Sequence, residues 1–331
     1  MRAVSLRTSM IPLAEIRAAA ERIAGKVHRT PILSSRGLGA RLGMEGPLLF
    51  KCESFQKTGS FKPRGALNKV LSLSPSDRDR GLVTVSAGNH AQAVAWSASI
   101  AGASCVVVMP TAAPTSKIDA VRGYGAEVVL HDDRTTLFDR LNEVREERRL
   151  TFVHPFDDPT VLAGAGTTGL EILEQVPDAD IVVIPVGGGG LLGGTASAIK
   201  QLRPAARVVA VELEEGPGLA PALAAGKPVP APRPAGTVAD GMTPPFVGAL
   251  PLEIAREAVD EVVGVGEDAI RVAMALLFTR VKVVAEGAGA AATAALLSGR
   301  IRVPRGARVV ALISGGNVDL SVVAGLARGN A

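Results

Sequence analysis

The chain has 331 residues, enough for about two domains of ordinary size and for a large buried core. It is 47% hydrophobic and 21% charged, which is typical of globular proteins rather than disordered or fibrous ones. The net charge of +4 comes from lysines and arginines scattered along the chain, without the basic run of a nucleic-acid binder. We therefore expect no nucleic-acid partner.

The two cysteines, Cys52 and Cys105, are too few for a disulfide framework or a zinc cluster, so we expect buried thiols in a reducing compartment, the cytoplasm. The N-terminus lacks the continuous apolar core of a signal peptide and soon turns into an amphipathic helix pattern. Residues 91–116 carry no charge, but Gly102 and Pro110 divide them into a helix and a strand. No membrane-spanning segment is expected.

From residue 82, short apolar runs alternate with longer helical patterns. The predicted strands are 82–85, 104–109, 126–130, 151–153, 180–186, 207–212, 261–265 and 308–313. The predicted helices are 63 to about 73, 89–101, 115–124, 135–149, 159–175, 191–202, 267–280 and 287–298. This alternation predicts an α/β fold with mostly parallel sheets, whose ligands bind beyond the carboxyl ends of the strands. The proline-rich segment 227–236 predicts a surface excursion.

The first of three candidate turns follows strand 82–85. Ser86, Ala87, Gly88 and Asn89 open a helix whose N-terminal N–H groups favour an anion, although they would equally serve as helix caps. His90, at the start of the same helix, is more often structural than a catalytic base.

The second turn, PVGGGGLLGG, exposes backbone amides without Cβ atoms in the way, which predicts a phosphate site. Its four successive glycines are Gly187, Gly188, Gly189 and Gly190. Gly188, Gly190 and Gly193 also fit the G-x-G-x-x-G dinucleotide fingerprint, and Glu212 follows about 20 residues later, where the ribose-binding acid would lie. An NAD-dependent dehydrogenase therefore stays open as an alternative.

The third turn, SGGNVDL, places the hydroxyl of Ser314 after a strand, either as a ligand to a bound group or as a cap on the last helix. Lys62 lies between Phe61 and Pro63, at the predicted start of a helix. The positive helix end and partial desolvation there favour a neutral, nucleophilic amine. The alternative is a lysine that extends its ammonium group into solvent.

An aldehyde cofactor with a phosphate requires these features together. The lysine bonds the aldehyde, the glycine turn holds the phosphate and Ser314 faces a ring nitrogen, which indicates pyridoxal phosphate. On six motifs the chain resembles the fold-type II pyridoxal-phosphate enzymes of the threonine/serine dehydratase and serine racemase family, and in particular the threonine dehydratases without a regulatory domain. The motifs are KTGSFKPRGALN, SAGNHAQAVA, PVGGGGLLGG, VADG, VVAEGAGA and SGGNVDL.

The resemblance implies a role for each motif. Lys62 would bond covalently to the cofactor, with Phe61 against its ring, Asn89 at the ring 3-hydroxyl and Ser314 at the ring nitrogen. The phosphate would lie on residues 187–190 and Leu191. The substrate carboxylate would be received by Ser86, Asn89 and His90. Gly241 and Glu286 match family positions that line the same cleft.

The resemblance also implies an architecture similar to the tryptophan synthase β subunit, with two three-layer αβα domains and mostly parallel sheets. A large cofactor-binding domain, residues 1–70 and 158–331, would be interrupted by a smaller domain, residues 71–157, that closes on the substrate. We expect a homodimer or homotetramer, and no C-terminal regulatory domain and hence no isoleucine feedback through one.

The implied reaction is the β-elimination of a 3-hydroxy amino acid, L-threonine or L-serine, to a 2-oxo acid and ammonia. A neutral Ser314 does not hold a proton on the ring nitrogen as a carboxylate would, which favours rapid loss of the β-substituent. Racemases of the family carry a second serine after the first, where this chain has Ala87. Because Ala87 cannot move a proton, dehydration is favoured over racemisation. Racemisation or dehydration of serine or 3-hydroxyaspartate stays open as an alternative, and a catalytically inactive amino-acid sensor is another.

Some members bind a divalent cation after the strand that ends at Glu212, using a second carboxylate six residues further on. That position is Gly218 here, and Glu214 and Glu215 are the remaining candidates. The sequence leaves a divalent or monovalent cation open.

Overall fold

The computed structural model describes residues 8–328, so the first seven residues of the stretch inspected for a signal peptide lie outside it. The strands are β1 (Ile32–Ser35), β2 (Leu48–Cys52), β3 (Leu82–Val85), β4 (Cys105–Pro110), β5 (Glu127–His131), β6 (Thr151–Phe152), β7 (Ile181–Pro185), β8 (Arg207–Leu213), β9 (Glu261–Val265) and β10 (Val309–Ile313).

The helices alternate with these strands over most of the chain. They are α1 (Leu13–Ile23), α2 (Arg36–Arg41), α3 (Lys62–Ser72), α4 (Pro75–Asp79), α5 (Asn89–Ala101), α6 (Thr115–Gly123), α7 (Leu137–Arg148), α8 (Pro159–Gln175), α9 (Gly190–Leu202), α10 (Leu219–Ala225), α11 (Ala249–Ala258), α12 (Glu267–Leu276), α13 (Gly287–Leu297) and α14 (Leu320–Arg328). A π-helical turn, Leu277–Val281, extends α12.

The strands form two sheets. In the six-stranded sheet the order is β1-β2-β10-β7-β8-β9, and in the four-stranded sheet it is β5-β4-β3-β6. Only the pairing of β1 with β2 is antiparallel among the described strands. Helices cover both faces of each sheet over separate apolar clusters, which gives two three-layer αβα units. The predicted fold class is confirmed.

All the strands and helices predicted from residue 82 onward are present, most with ends shifted by one to three residues. The amphipathic N-terminal pattern forms α1, and segment 227–236 contains no helix or strand. The predictions omitted β1, β2, α2, α4, α10 and α11. In β2 the pattern is misleading, because Lys51, the fourth of five residues in an otherwise apolar strand, is fully buried.

Lys51 belongs to a buried charged cluster, which we define as Lys51, Glu53, Arg64 and Glu171. Arg64, in α3, donates to Glu53 Oε2 at 2.7 Å and to Glu171 Oε1 at 2.7 Å. Lys51 Nζ donates to Glu171 Oε2 at 2.5 Å and to Thr30 O at 2.9 Å. Since its members come from β2, the turn after β2, α3 and α8, the cluster fixes the position of α3.

Both cysteines are buried free thiols, as predicted, and burial raises the pKa of each to about 12. Residues 91–116 divide into α5 and β4, as expected. Within residues 8–328, no helix combines the length and the apolar composition that crossing a membrane requires.

Candidate active site

Lys62 is the first residue of α3, and Phe61 at the N-cap makes no side-chain capping bond, so the first N–H groups of the helix have no side-chain cap. The Lys62 Nζ atom lies 5.1 Å from the centre of the Phe61 ring and donates to Pro155 O at 2.8 Å. Burial lowers the pKa of Lys62 to about 8, while Glu286 acts in the opposite direction. The shift is in the direction that the sequence predicts, and it raises the fraction of neutral amine near pH 7 far above that of an exposed lysine.

The segment before Lys62 is fastened to the turn after β10, which carries Ser314. Phe61 N donates to Ser314 O at 3.0 Å, and Gly316 N donates to Gly59 O at 2.9 Å. Ser60 and Gly315 form an isolated antiparallel bridge. Ser314 itself is 5% exposed. Lys62 and Ser314, 252 residues apart in sequence, therefore lie on neighbouring backbone segments of one site.

The glycine turn lies between β7 and α9. Its Gly189 has φ +92, a backbone conformation in which a side chain is strained, and a Cβ there would lie 2.5 Å from Pro251. A Cβ on Gly188 would lie 2.3 Å from the Phe156 ring. No side chain caps α9, whose first residues are Gly190 and Leu191. Bare amides at the positive end of a 13-residue helix make a site for a phosphate.

Residues 154–157 connect the lysine with the glycine turn. Pro155 O accepts the hydrogen bond from Lys62, and the backbone of the next residue, Phe156, lies 3.1 Å from where a Cβ on Gly190 would be. Asp157 accepts N–H bonds from Ala249 and Leu250, both at 3.0 Å, which fixes the segment at its other end. These contacts place the amine and the glycine turn in one cleft.

The turn after β3 supplies the expected carboxylate-binding residues. The backbone N–H of Gly88 donates to Ser86 Oγ at 3.2 Å, which leaves the Ser86 hydroxyl proton free to donate. The His90 ring is buried, with Nε2 3.1 Å from Val153 O, and burial lowers its pKa well below the usual value. The buried ring leaves the backbone N–H of His90, near the start of α5, as the group of this residue that could donate to an anion.

Asn89, at the start of α5, and Glu286, just before α13, form a hydrogen bond across this cleft. Asn89 Nδ2 donates to Glu286 Oε1 at 2.7 Å, and Asn89 Oδ1 accepts from Asn317 Nδ2 at 2.8 Å. A Cβ on Gly241 would lie 3.9 Å from Glu286 Oε1, so Gly241 also borders the carboxyl. Beside Glu286 and Asn317 a cavity of about 770 Å³ is lined on its other side by Lys117 and Asp240.

Glu212 has a local role. Its Oε2 accepts N–H bonds from Gly218 at 2.8 Å and Leu219 at 2.7 Å, and its Oε1 accepts one from Ala220 at 3.2 Å. Both oxygens that a ribose or a cation would require are engaged with the start of α10. Within residues 8–328, no group of three His, Cys, Asp or Glu side chains is arranged to hold a metal ion.

Sequence reasoning did not assign a role to Pro155, Phe156, Lys117, Asp240 or Asn317. Phe156 could have been found, because it follows predicted strand 151–153 and the turns after strands were expected to hold ligands. Asp240 and Asn317 lie within quoted motifs, VADG and SGGNVDL. The signal that covers Phe156 also covers Pro155, but no sequence signal marks Lys117, whose contacts arise only from tertiary packing.

The arrangement fits pyridoxal phosphate: a buried amine whose pKa is lowered to about 8, uncapped backbone amides at the start of α9 where packing excludes side chains, and a buried serine hydroxyl. Residues 23–315 match the family model of pyridoxal-phosphate dependent enzymes. The catabolic L-threonine dehydratase of Escherichia coli strain K12 is 44% identical over 315 residues, which cover 95% of each protein.

Two solved structures show the same overall fold. A threonine deaminase from T.th. is 43% identical, with a TM-score of 0.87 over 93% of this chain and 99% of its own. Maize serine racemase is 37% identical, with a TM-score of 0.89 over 96% of this chain and 97% of its own. The chain belongs to the family of pyridoxal-phosphate dependent enzymes.

Proposed function

We propose that the chain is a pyridoxal-phosphate dependent ammonia-lyase that converts L-threonine or L-serine into a 2-oxo acid and ammonia. The observation that carries the proposal is the buried amine of Lys62, whose pKa is lowered to about 8 beside the glycine turn. The similarity to threonine dehydratases over nearly the full length supports the choice of substrate class.

Five elements would hold the cofactor. Lys62 would bond its aldehyde and Phe61 would lie against its ring, with Asn89 at the ring hydroxyl and Ser314 at the ring nitrogen. The amides of residues 187–190 and Leu191 would bind its phosphate. When bound, the cofactor supplies an electron-withdrawing ring that acidifies the Cα–H bond of an attached amino acid.

Lys62 would act as the base for that proton. An amine with a pKa of about 8 is partly neutral at physiological pH, so its Nζ can accept the Cα proton once the substrate amine has displaced it from the cofactor. Pro155 O, 2.8 Å from Nζ, orients the amine. An exposed lysine would be almost fully protonated at the same pH and would serve poorly.

The substrate carboxylate would bind at the start of α5. The available donors are the Ser86 hydroxyl and the backbone N–H groups of Asn89 and His90, all at the positive end of a helix. This anchor would fix the Cα–H bond relative to Lys62 without contacting the β-substituent. Contacts with the β-substituent, which separate threonine from serine, involve differences of only about 1–3 kcal/mol.

Elimination is favoured over racemisation by two residues. The neutral hydroxyl of Ser314 stabilises a proton on the ring nitrogen less than a carboxylate would, which disfavours a long-lived carbanion. Ala87 offers no group that could return a proton to the opposite face, and its methyl packs against the core of the four-stranded sheet. A racemase would require a proton donor there.

The proposed domain division is supported by the sheets, because β3 to β6 all lie within residues 71–157. Residues 71–157 would close as a unit on the substrate, with residues 1–70 and 158–331 as the cofactor-binding domain. We further propose a cytoplasmic homodimer or homotetramer; the exposed apolar side chains of Phe55, Phe278 and Val284 are consistent with an interface.

A panel of 3-hydroxy amino acids tests the function. The purified protein, saturated with pyridoxal phosphate, is expected to release 2-oxo acid and ammonia in equal amounts from L-threonine or L-serine. Borohydride reduction is expected to leave a pyridoxyl group on Lys62. Formation of D-serine from L-serine at a rate similar to that of pyruvate would contradict the preference for elimination, and the absence of both products would contradict the function.

A further inference from the structure

Glu286 is a buried carboxyl to which the proposed reaction gives no role. It is the N-cap residue of α13, but its side chain does not cap that helix. The carboxyl is 5% exposed and turns instead toward Asn89. The Glu286 carboxyl thus leaves the N–H groups of its own helix uncapped and accepts a hydrogen bond from the Asn89 side chain instead.

The polarity of the hydrogen bonds fixes how Asn89 is oriented. Asn317 Nδ2 donates to Thr58 O at 2.7 Å, and a backbone carbonyl can only accept. The same nitrogen donates to Asn89, so the side that Asn89 presents to Asn317 must be its oxygen. The Asn89 NH₂ group then faces Glu286, and its second N–H is left for a ligand.

Glu286 has little freedom to move from this position. Its backbone N donates to Gly315 O at 3.1 Å, and a Cβ on Gly315 would lie 2.5 Å from Glu286 Oε1. The carboxyl is thus confined between Gly315, Gly241 and Asn89. Because the Glu286 carboxyl is held in place, the Asn89 side chain that donates to it is held in place as well.

Three charged groups face Glu286. Asp240, in the turn before α11, is repelled by it, while Lys62 and Lys117 attract it. Lys117, in α6, forms an ion pair with Asp240 at 2.6 Å, which reduces the repulsion. Burial first, and then Asp240, raises the pKa of Glu286 to about 7. Protonated or ionised, its Oε1 remains able to accept the N–H of Asn89.

We propose that Glu286 is a positioning residue, which holds Asn89 in the single orientation that directs one amide N–H to an oxygen of the cofactor. The inference rests on the proposed function, because that function places the cofactor beside Asn89. It extends the function by making cofactor affinity depend on a carboxyl that need not touch the cofactor. The essential property of Glu286 is an acceptor oxygen, not its charge.

Two variants separate the acceptor from the charge. Glu286→Gln keeps an oxygen that accepts the Asn89 N–H, whereas Glu286→Leu has a similar volume and no acceptor. We expect Glu286→Gln to bind pyridoxal phosphate within about 3-fold of the wild-type affinity, and Glu286→Leu to bind it about 10-fold more weakly, a loss of about 1.4 kcal/mol. Fluorescence titration of the cofactor-free protein measures both, and Glu174→Gln, at an exposed ion pair, is the control.

A second variant keeps the proposal testable if Glu286→Leu fails to fold. Asn317→Ala removes the donor that fixes the polarity and is expected to weaken cofactor binding in the same direction. Wild-type affinity in both Glu286→Leu and Asn317→Ala, or equal losses in Glu286→Gln and Glu286→Leu, would overturn the inference. Failure of the wild-type protein to take a pyridoxyl label on Lys62 would instead overturn the proposed function.

Discussion

Two regions of the molecule bury charged side chains, and they differ in how those charges are paired. In the buried charged cluster, Arg64 forms hydrogen bonds with both Glu53 and Glu171. In the cleft, Lys62 donates to a backbone carbonyl and Glu286 accepts from an amide. The cluster pairs opposite charges directly, whereas in the cleft Lys62 and Glu286 form hydrogen bonds with neutral groups.

The difference appears in the pKa values. Burial lowers the pKa of Lys62 to about 8 and raises that of Glu286 to about 7. In the cluster, burial opposes ionisation as well, but the carboxylates raise the pKa of Arg64, and Arg64 with Lys51 lowers that of Glu171. For Lys51 itself burial prevails and lowers the pKa despite Glu171. Direct pairing keeps Arg64 ionised and structural, while its absence makes the cleft groups able to exchange protons near neutral pH.

The largest effect is expected at Lys62. Lys62→Ala removes the only proposed covalent link to the cofactor and the proposed base, so turnover of L-threonine or L-serine should fall by about 10³-fold or more. The pyridoxyl label after borohydride should disappear as well. Lys57→Ala, five residues earlier, is the control and should keep both; a labelled, active Lys62→Ala protein would refute the assignment.

Arg64→Met tests the other side of the comparison. It leaves Glu53 and Glu171 buried without their guanidinium partner, which should cost about 3–5 kcal/mol in the free energy of unfolding. Arg29→Met breaks an exposed pair with Glu174 and should cost less than about 1 kcal/mol. Denaturant unfolding measures both, and similar losses in the two variants would show that pairing in the cluster is not structural.

The glycine turn allows the proposed phosphate site to be compared with an exposed glycine elsewhere in the chain. Gly189→Ala and Gly299→Ala share the strain of a positive φ, but only at Gly189 would the Cβ meet Pro251, since nothing lies within 4 Å at Gly299. We expect Gly299→Ala to lose about 1 kcal/mol of stability from strain. Gly189→Ala should lose about 1–3 kcal/mol more because of the contact with Pro251, and only this variant should weaken cofactor binding, by about tenfold. Equal cofactor affinity in the two variants would contradict the assignment of the phosphate site to this turn.

The pH dependence of stability distinguishes the two regions further. Because the folded pKa of Glu286 is raised from 4.5 to about 7, the folded state binds more protons between these values, and stability falls as pH rises through that window. In cofactor-free protein, wild type should therefore lose stability relative to Glu286→Gln between about pH 5 and pH 8. Glu174→Gln should show no such change, and parallel curves for wild type and Glu286→Gln would contradict a buried, titrating carboxyl.

The smallest effect is expected from divalent cations. Glu212 resembles the cluster in that its oxygens are already engaged, by the N–H groups of Gly218, Leu219 and Ala220. Addition of Mg²⁺ or EDTA should therefore leave activity and melting temperature unchanged. Activation by Mg²⁺ that Glu212→Gln abolishes would show that a cation displaces these N–H groups.

Local patterns predicted every strand from residue 82 onward and most of the helices, because apolar runs and helical periodicity are properties of neighbouring residues; they missed α10 and α11. They failed at β2, where the partners of Lys51, such as Glu171 and Gln175, lie more than a hundred residues away. They also missed Lys117, whose ion pair with Asp240 joins residues 123 positions apart in sequence. No local pattern predicts a contact of that kind.

The sequence by itself indicated the candidate reactive groups, because Lys62, the four glycines and Ser314 occur in contiguous motifs. Only the tertiary structure decided their protonation and orientation. The pKa of Lys62 depends on burial beside Pro155, and the orientation of Asn89 depends on Glu286 and Asn317 from distant segments. Desolvation and hydrogen-bond polarity are properties of a packed site, so they are fixed only when these segments meet.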